Sequence, residues 1–279
     1  MRAKPLADHQ IVPQGQTQDH WLLVGASPDG VGLDLGRAWV RRVQSTARVI
    51  AVDGGLKECL RLGLKPDLWV GDGDSLFSKR LTASQRDQAR SASGLSADQW
   101  VSLPVHKNQS DLGYSLQEAR RRFGVPHSVV GLGFTGGRAD HHWGGVLEWV
   151  QFVRKKRCEQ AWIHGPQESY GVLSAECDPL SFVAILGQTV SLFAMTPQVR
   201  GLKLSGLHYS WHPGDVLRPG THGLSNVVTA KRRGARGPSR TRVAISMEKG
   251  KVLVVLPHAT PEAACRFVRE NGISGPIRF

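Results

Sequence analysis

The sequence is poor in cysteine, contains no long apolar run and is short of acidic residues, and each shortage removes a class of protein. The four cysteines, Cys59, Cys158, Cys177 and Cys265, have neither metal-ligand nor disulfide-framework spacing. That excludes a zinc ribbon and a cystine-stapled secreted domain, and fits free thiols in a reducing cytoplasm. No uninterrupted apolar stretch approaches the roughly 20 residues that span a bilayer. The polar leader, residues 1–20, lacks the apolar core of a signal peptide. The expectation is a cytoplasmic protein with no membrane partner.

Asp and Glu number 23 against 36 Lys and Arg, leaving a formal charge of +13. Such an excess attracts polyanions, ATP and nucleic acid alike, and says nothing about fold. Part of it is local. The runs Arg120 to Arg122 and Arg154 to Arg157 lie near the ends of helical patterns, where cations complement the helix dipole. The run Lys231 to Arg236 continues through Gly, Pro and Ser to Arg242 as a basic loop with few aromatics. That argues against single-strand nucleic-acid binding, which uses stacking platforms.

What is present is a globular composition, with 40% hydrophobic residues and Gly 32, organised around Trp69-Val-Gly-Asp-Gly-Asp-Ser75. Leu68 to Val70 reads as a strand end, and Gly71 and Gly73 let the backbone turn so that Asp72 and Asp74 project from the following loop. Two unpaired carboxylates about 4 Å apart repel by roughly 4 kcal/mol at an effective dielectric near 20, so an acidic cluster requires a cation. Hard oxygen ligands favour magnesium, with phosphate oxygens completing its shell. Asp-Gly-Asp by itself is equally an ordinary polar turn.

Strands and helices alternate on either side of this loop. Strands are expected at Trp21 to Val24, Ala47 to Val52, Trp100 to Pro104, Ser128 to Gly133 and Ala161 to His164. Between them lie helices at 35–42, preceded by Asp34, and at 56–62, 81–93, 112–122 and 140–153. Asp53 follows the second strand and reads either as a helix cap or as another strand-end carboxylate. Lys107-Asn-Gln-Ser-Asp111 opens a helix in which Ser110 or Asp111 is a cap; alternatively Asp111 is a metal or water ligand and Lys107 a phosphate partner. Gly136-Gly-Arg-Ala-Asp140 reads either as a Gly-rich turn with a solvated Arg or as room for phosphate at a helix start, with Arg138 as a planar fork of donors. His141 and His142 are adjacent, without the helical spacing of zinc ligands.

After His164 the pattern changes to short β-type runs at 170–173, 182–186, 190–195, 202–211, 224–229, 243–247 and 252–256. The expected fold is α/β, an N-terminal Rossmann-like parallel-sheet catalytic domain over 21–164, followed by a C-terminal all-β sandwich over 165–257 and a tail over 258–279 with one helix near Ala263 to Glu270.

With these motifs in order the chain resembles the thiamine pyrophosphokinase family from Trp21 to Leu256. The matching stretches are Asp53-Gly-Gly55, Gly71-Asp-Gly-Asp-Ser75, Lys107-Asn-Gln-Ser-Asp111, Gly136-Gly-Arg-Ala-Asp-His141, Gly201-Leu-Lys203 and Gly223-Leu-Ser-Asn226. The resemblance implies transfer of diphosphate from ATP to the hydroxyl of thiamine with release of AMP. It also implies a homodimer whose sites are shared between the α/β domain of one chain and the β domain of the other. It makes Asp72, Asp74 and Asp111, with Asp53 beside them, the Mg2+ set. Asp72, Asp74, Asp111 and Arg138 become the catalytic residues, and Asp53, Lys107, Arg138 and Asp140 the ATP contacts. Ser225, Asn226 and the position of Leu204 become part of the thiamine pocket.

The sequence departs from the family pattern at Asn108, Gly73, Leu204 and His142-Trp-Gly-Gly145. Leu204 stands where an aromatic packs on thiamine, a role Tyr209 or Trp211 is placed to take. These departures question the acceptor more than the donor. A hydroxymethylpterin is therefore an alternative alcohol, and a non-catalytic descendant binding nucleotide or nucleic acid is a third reading. Four clustered acids oppose the last, because they repel a polyanion unless a metal neutralises them.

Overall fold

A computed structural model of the chain describes residues 20–26, 32–76, 82–153, 160–229 and 240–271. Outside them lie most of the polar leader, Cys158, the runs Arg154 to Arg157 and Lys231 to Arg236, and the end of the C-terminal tail.

The first half alternates as its apolar runs predict. It contains β1 (His20–Val24), α1 (Gly36–Thr46), β2 (Ala47–Val52), α2 (Gly55–Leu62), β3 (Leu68–Gly71), α3 (Ala83–Ser93), β4 (Trp100–Ser102), α4 (Asp111–Phe123), β5 (Ser128–Leu132), α5 (Ala139–Phe152) and β6 (Gln160–His164). These six strands are parallel neighbours in the order β6-β5-β1-β2-β3-β4. Side chains alternate between two cores, as a strand's period of two requires. Leu22 and Val24 of β1 join Val49, Ala51 and Trp69 on the face covered by Trp39 and Val43 of α1 and Leu56 and Cys59 of α2. Trp21 and Leu23 join Ile50, Val52 and Val70 on the face covered by Leu112 and Leu116 of α4 and Val146 and Trp149 of α5.

The second half is antiparallel, yet the same sheet continues into it. It comprises β7 (Glu168–Ser174), β8 (Leu180–Ile185), β9 (Thr189–Ala194), β10 (Val199–Arg200), β11 (Lys203–Ser205), β12 (Val216–Leu217), β13 (Asn226–Val227), β14 (Arg240–Ser246), β15 (Lys251–Pro257) and the helix α6 (Pro261–Asn271). β7 pairs antiparallel with β6 and extends the parallel set into one ten-stranded sheet, β13-β9-β15-β7-β6-β5-β1-β2-β3-β4. A second sheet, β11-β14-β8, covers the antiparallel end. Phe182 and Ala184 of β8 and Val243 and Ile245 of β14 share a core with Leu192 of β9 and Val252, Val254 and Leu256 of β15.

Two expected strands are shorter than their sequence runs. Of 202–211 only Lys203–Ser205 is strand, and of 224–229 only Asn226–Val227. At Gly206 the backbone turns left-handed, φ 79°, and a Cβ there would lie 2.5 Å from the Arg242 carbonyl oxygen. Only glycine fits such a corner, and the chain leaves the sheet there.

At the edge of β8 the backbone of Val183 is answered by a side chain. Asn271 at the end of α6 accepts from Val183 N–H at 2.7 Å and donates to its carbonyl at 3.0 Å, copying a strand ladder with one amide. An exposed strand edge pairs readily with other chains, so this cap also protects the fold.

Candidate active site

The four motif loops of the first half leave the same edge of the parallel sheet. Asp53 follows β2, Asp72 follows β3, the Lys107 loop follows β4, and the Gly136-Gly-Arg138 loop follows β5. The order reverses between β1 and β5, and open α/β sheets bind ligands outside the strand ends at such a switch point.

Asp53 is held by backbone as much as by its side chain. Its φ of 45° is one of two positive values at non-glycine residues among those described, a conformation that costs about 1 to 3 kcal/mol. Asp53 N–H donates to the Val70 carbonyl at 2.9 Å, and Trp69 Nε1 donates to the Asp53 carbonyl at 2.9 Å. A Cβ at Gly71 would stand 2.7 Å from Asp53 Cα, so only glycine lets the ends of β2 and β3 come this close. The carboxylate does not cap α2, whose N-cap is Gly54 without a side-chain bond. Asp53 Oδ1 accepts instead from Gly73 N–H at 2.8 Å, across to the neighbouring loop.

Asp53, Asp72 and Asp74 each offer an oxygen within 4.8 Å of the others. Lys107 Nζ lies 2.5 Å from Asp72 Oδ2 and 3.2 Å from Asp111 Oδ1. Ser110 is the cap of α4, accepting from Gly113 N–H at 3.1 Å, and it leaves the Asp111 carboxylate unspent. Asp111 Oδ1 is buried and has no well-directed hydrogen bond among the described residues, the Lys107 ammonium at 3.2 Å giving charge attraction. Asp111 is therefore attached to the Asp53, Asp72 and Asp74 cluster through Lys107 and is not itself one of the three.

The charges follow this division. Burial raises the Asp53 carboxyl, against the hydrogen bonds of Ser75, Gly73 and Gly54. Burial also raises Asp111, with Lys107 only partly offsetting it. At Asp72 burial works in the same direction, but the hydrogen bond from Lys107 and that from the Asp74 backbone outweigh it and the net shift is downward. The Lys107 ammonium serves Asp72 first. An orphaned buried oxygen and three converging carboxylates are a donor set that suits a hard divalent cation.

Arg138 and Asp140 engage each other. Arg138 Nη2 donates to Asp140 Oδ2 at 2.6 Å and Nε to Oδ1 at 3.1 Å, both side chains being exposed. The guanidinium fork is thus held at the start of α5 and faces solvent.

The expected acceptor residues lie elsewhere. Eight inter-strand steps separate β3 from β13 in the sheet order, or roughly 38 Å at about 4.8 Å each. Ser225, with φ 56°, precedes β13, and its N–H donates to Ser191 Oγ at 3.1 Å. The buried Asn226 accepts from Tyr209 N–H and donates to the Tyr209 carbonyl, each at 2.9 Å. Its amide holds the 207–211 loop and presents Tyr209, which is 62% exposed. Leu204 is half-buried and packs on the core, as does Trp211. A cavity of about 940 Å3 between α1 and α2, lined by Arg37, Arg41 and Arg61 among others, includes none of the motif carboxylates.

Sequence reasoning missed the Lys107 bridge between Asp72 and Asp111. The i, i+4 spacing of Lys107 and Asp111 was the available signal, but the link to Asp72 is a contact between loops. It also missed the tie from Ser110 Oγ to Glu148 Oε1 at 3.2 Å, which joins α4 to α5.

Residues 40–161 match the family model for the thiamin pyrophosphokinase catalytic domain. No curated protein matches the chain in sequence. Among solved structures, thiamine pyrophosphokinase from Bacillus subtilis superposes with a TM-score of 0.61 at 20% identity, over 86% of this chain and 99% of that one. Thiamin pyrophosphokinase from Geobacillus thermodenitrificans gives 0.61 at 19% identity, over 86% and 97%. Thiamin pyrophosphokinase from Candida albicans gives 0.54 at 11%, over 90% and 97%. At these identities the superpositions establish a shared fold, and the family match rests on residues 40–161.

Proposed function

We propose that this chain, whose residues 40–161 match the thiamin pyrophosphokinase catalytic-domain model, transfers diphosphate from ATP to the hydroxyl of thiamine with Mg2+ as the bound cation. The observation that carries the reading is the convergence of Asp53, Asp72 and Asp74 within 4.8 Å at the ends of β2 and β3, with Asp111 linked through Lys107.

The hydroxyl oxygen forms a bond to the β-phosphorus, the bond from that phosphorus to the α–β bridging oxygen breaks, and AMP leaves with the electron pair. Bound Mg2+ would neutralise phosphate charge. Asp53, Asp72 and Asp74 would hold it, with Asp111 nearby. Lys107, whose ammonium stands beside Asp72 and Asp111, is suited to a phosphate oxygen. Arg138 offers a second cation at the start of α5, where helix N–H groups also favour an anion. The hydroxyl proton passes to a carboxylate, Asp111 and Asp74 being the two at hand. Positioning and charge neutralisation supply most of the rate in such transfers.

One chain cannot bring Ser225, Asn226 and Tyr209 to the carboxylates if some 38 Å of sheet separates them. This supports a homodimer in which the loops before β13 of one copy complete the acid cluster of another. The half-buried Leu204, where the family packs an aromatic on thiamine, favours testing a second alcohol such as a hydroxymethylpterin.

Purified protein given ATP, Mg2+ and thiamine should yield AMP and thiamine diphosphate, followed by 31P NMR and chromatography. Neither product at high enzyme concentration would overturn the reading. A strong preference for the pterin in a mixed-alcohol assay would keep the reaction and replace the acceptor.

A further inference from the structure

A cavity of about 410 Å3 lies where α6 meets the turn between β8 and β9, far along the sheet from the carboxylates. Val183, Ile185, Pro257, Ala263 and Phe267 give it apolar walls. Its size and lining are those of small-molecule sites, in which a few placed polar groups set orientation.

Two strong donors at this cavity have no partner among the described residues. The first is His258. Ser169, fully buried, lies 2.8 Å from His164 Nδ1 and 2.7 Å from His258 Nε2 through its one hydroxyl. That hydroxyl has one proton, so it donates to one imidazole and accepts from the other. His164 Nε2 is buried with no partner among the described residues. A bare lone pair there costs less than an orphaned N–H. His164 therefore carries its proton on Nδ1 and donates to Ser169, which donates to His258 Nε2. His258 then carries its own proton on Nδ1, and that N–H has no acceptor among the described residues. Burial keeps both imidazoles neutral, lowering His164 to about 3 and His258 to about 4, so the relay is fixed at neutral pH.

The second donor is Arg266, an exposed guanidinium of the cavity lining with no ion-pair partner among the described residues. Thr189 adds a hydroxyl to the lining, and two further polar neighbours are already engaged. Glu270 pairs with Arg240, and Gln188 Nε2 donates to the Pro257 carbonyl at 3.3 Å. Apolar walls with two unanswered donors match an apolar body carrying an acceptor-rich, negatively charged end.

We propose that this cavity binds a small amphiphilic organic anion, its apolar, preferably planar body against Phe267 and Ile185 and its carboxylate toward His258 Nδ1 and Arg266. The site is independent of the diphosphate-transfer reading. Its wall does reach the acceptor side of the molecule, because Gly187 N–H donates to the Val228 carbonyl and Val228 N–H to the Gln188 carbonyl, each at 2.9 Å, directly after β13.

The test titrates the full chain with 2-naphthoate and with its neutral counterpart 2-naphthylmethanol, by calorimetry and ligand-observed NMR. Naphthoate should bind saturably and about ten-fold more tightly than the alcohol. Arg266→Gln, at an exposed position that leaves folding intact, should remove that preference, and Ala263→Trp should block both compounds. Asp72→Asn should leave naphthoate binding unchanged, separating this site from the catalytic one. Absence of saturable naphthoate binding, equal affinity for both compounds, or binding indifferent to Arg266→Gln and Ala263→Trp would each overturn the proposal.

Discussion

Lys107 Nζ stands 2.5 Å from Asp72 Oδ2, with the two side chains only 9% and 5% exposed. In a metal-free chain this ammonium is the counter-ion that lets the carboxylates coexist. It competes for Asp72 with any cation that arrives without a nucleotide. Lys107→Met should therefore tighten Mn2+ binding to the free protein about ten-fold while lowering turnover at least about a hundred-fold, because a phosphate partner is lost. Mn2+ titration by electron paramagnetic resonance, beside steady-state assays, reads both effects. Unchanged Mn2+ affinity would dismiss the competition.

The three cluster carboxylates should respond differently to neutralisation. Asp72→Asn and Asp74→Asn should abolish turnover and leave the far-ultraviolet circular dichroism unchanged. Asp53→Asn should do the same to turnover but also stabilise the metal-free protein. Burial holds the Asp53 carboxyl above its ordinary value of 3.8. Its stabilising form is thus the protonated one, and stability is lost as pH rises through the folded value. At neutral pH the ionised group is a cost that Asn lacks, and Asn tolerates a positive φ well. A higher Tm for Asp53→Asn is expected. A lower Tm for Asp53→Asn would contradict this account.

The buried imidazoles predict an acid-sensitive fold. His164 and His258 are lowered to about 3 and about 4 from 6.5, chiefly by burial. Their neutral forms stabilise the native state, fully above pH 6.5 and progressively less as pH falls through that value toward 4. Each should contribute a loss of about 1.4 kcal/mol per pH unit in that window. Urea unfolding from pH 7 to pH 4.5 measures the slope, and His164→Leu should roughly halve the share due to this pair. An unaltered slope in that variant would show the sensitivity to originate elsewhere.

Asn271 answers both backbone groups of Val183 at the edge of β8 with one side chain. Asn271→Ala should strand the Val183 N–H and carbonyl and cost about 2 kcal/mol. Asn271→Asp should fall short of wild type as well, since a carboxylate accepts from Val183 N–H but cannot donate to its carbonyl. Chemical denaturation of both variants checks the order, and wild-type stability in Asn271→Ala would remove the edge-capping role.

Much of the site was legible in the residues because its parts are local. Apolar runs ending in Gly or Asp located β2, β3 and β5, and they put Asp53, Asp72 and Arg138 at strand ends. Local reading could not say whether Asp53 caps α2 or faces the next loop, nor whether Ser110 or Asp111 caps α4. Those choices turn on Gly73 N–H and Gly113 N–H, donors whose positions are fixed by how the elements meet.

By itself the sequence determined the alternation of strand and helix up to His164, the switch to short β runs beyond it, and the acidic and glycine loops. Period and turn chemistry are properties of neighbouring residues. Only the tertiary structure decided that one ten-stranded sheet runs through both halves, that β11 stops at Gly206, and that Lys107 bridges Asp72 to Asp111. Strand pairing, close backbone approach and charge contact join residues distant in the chain, and their energies depend on distances that no local pattern encodes.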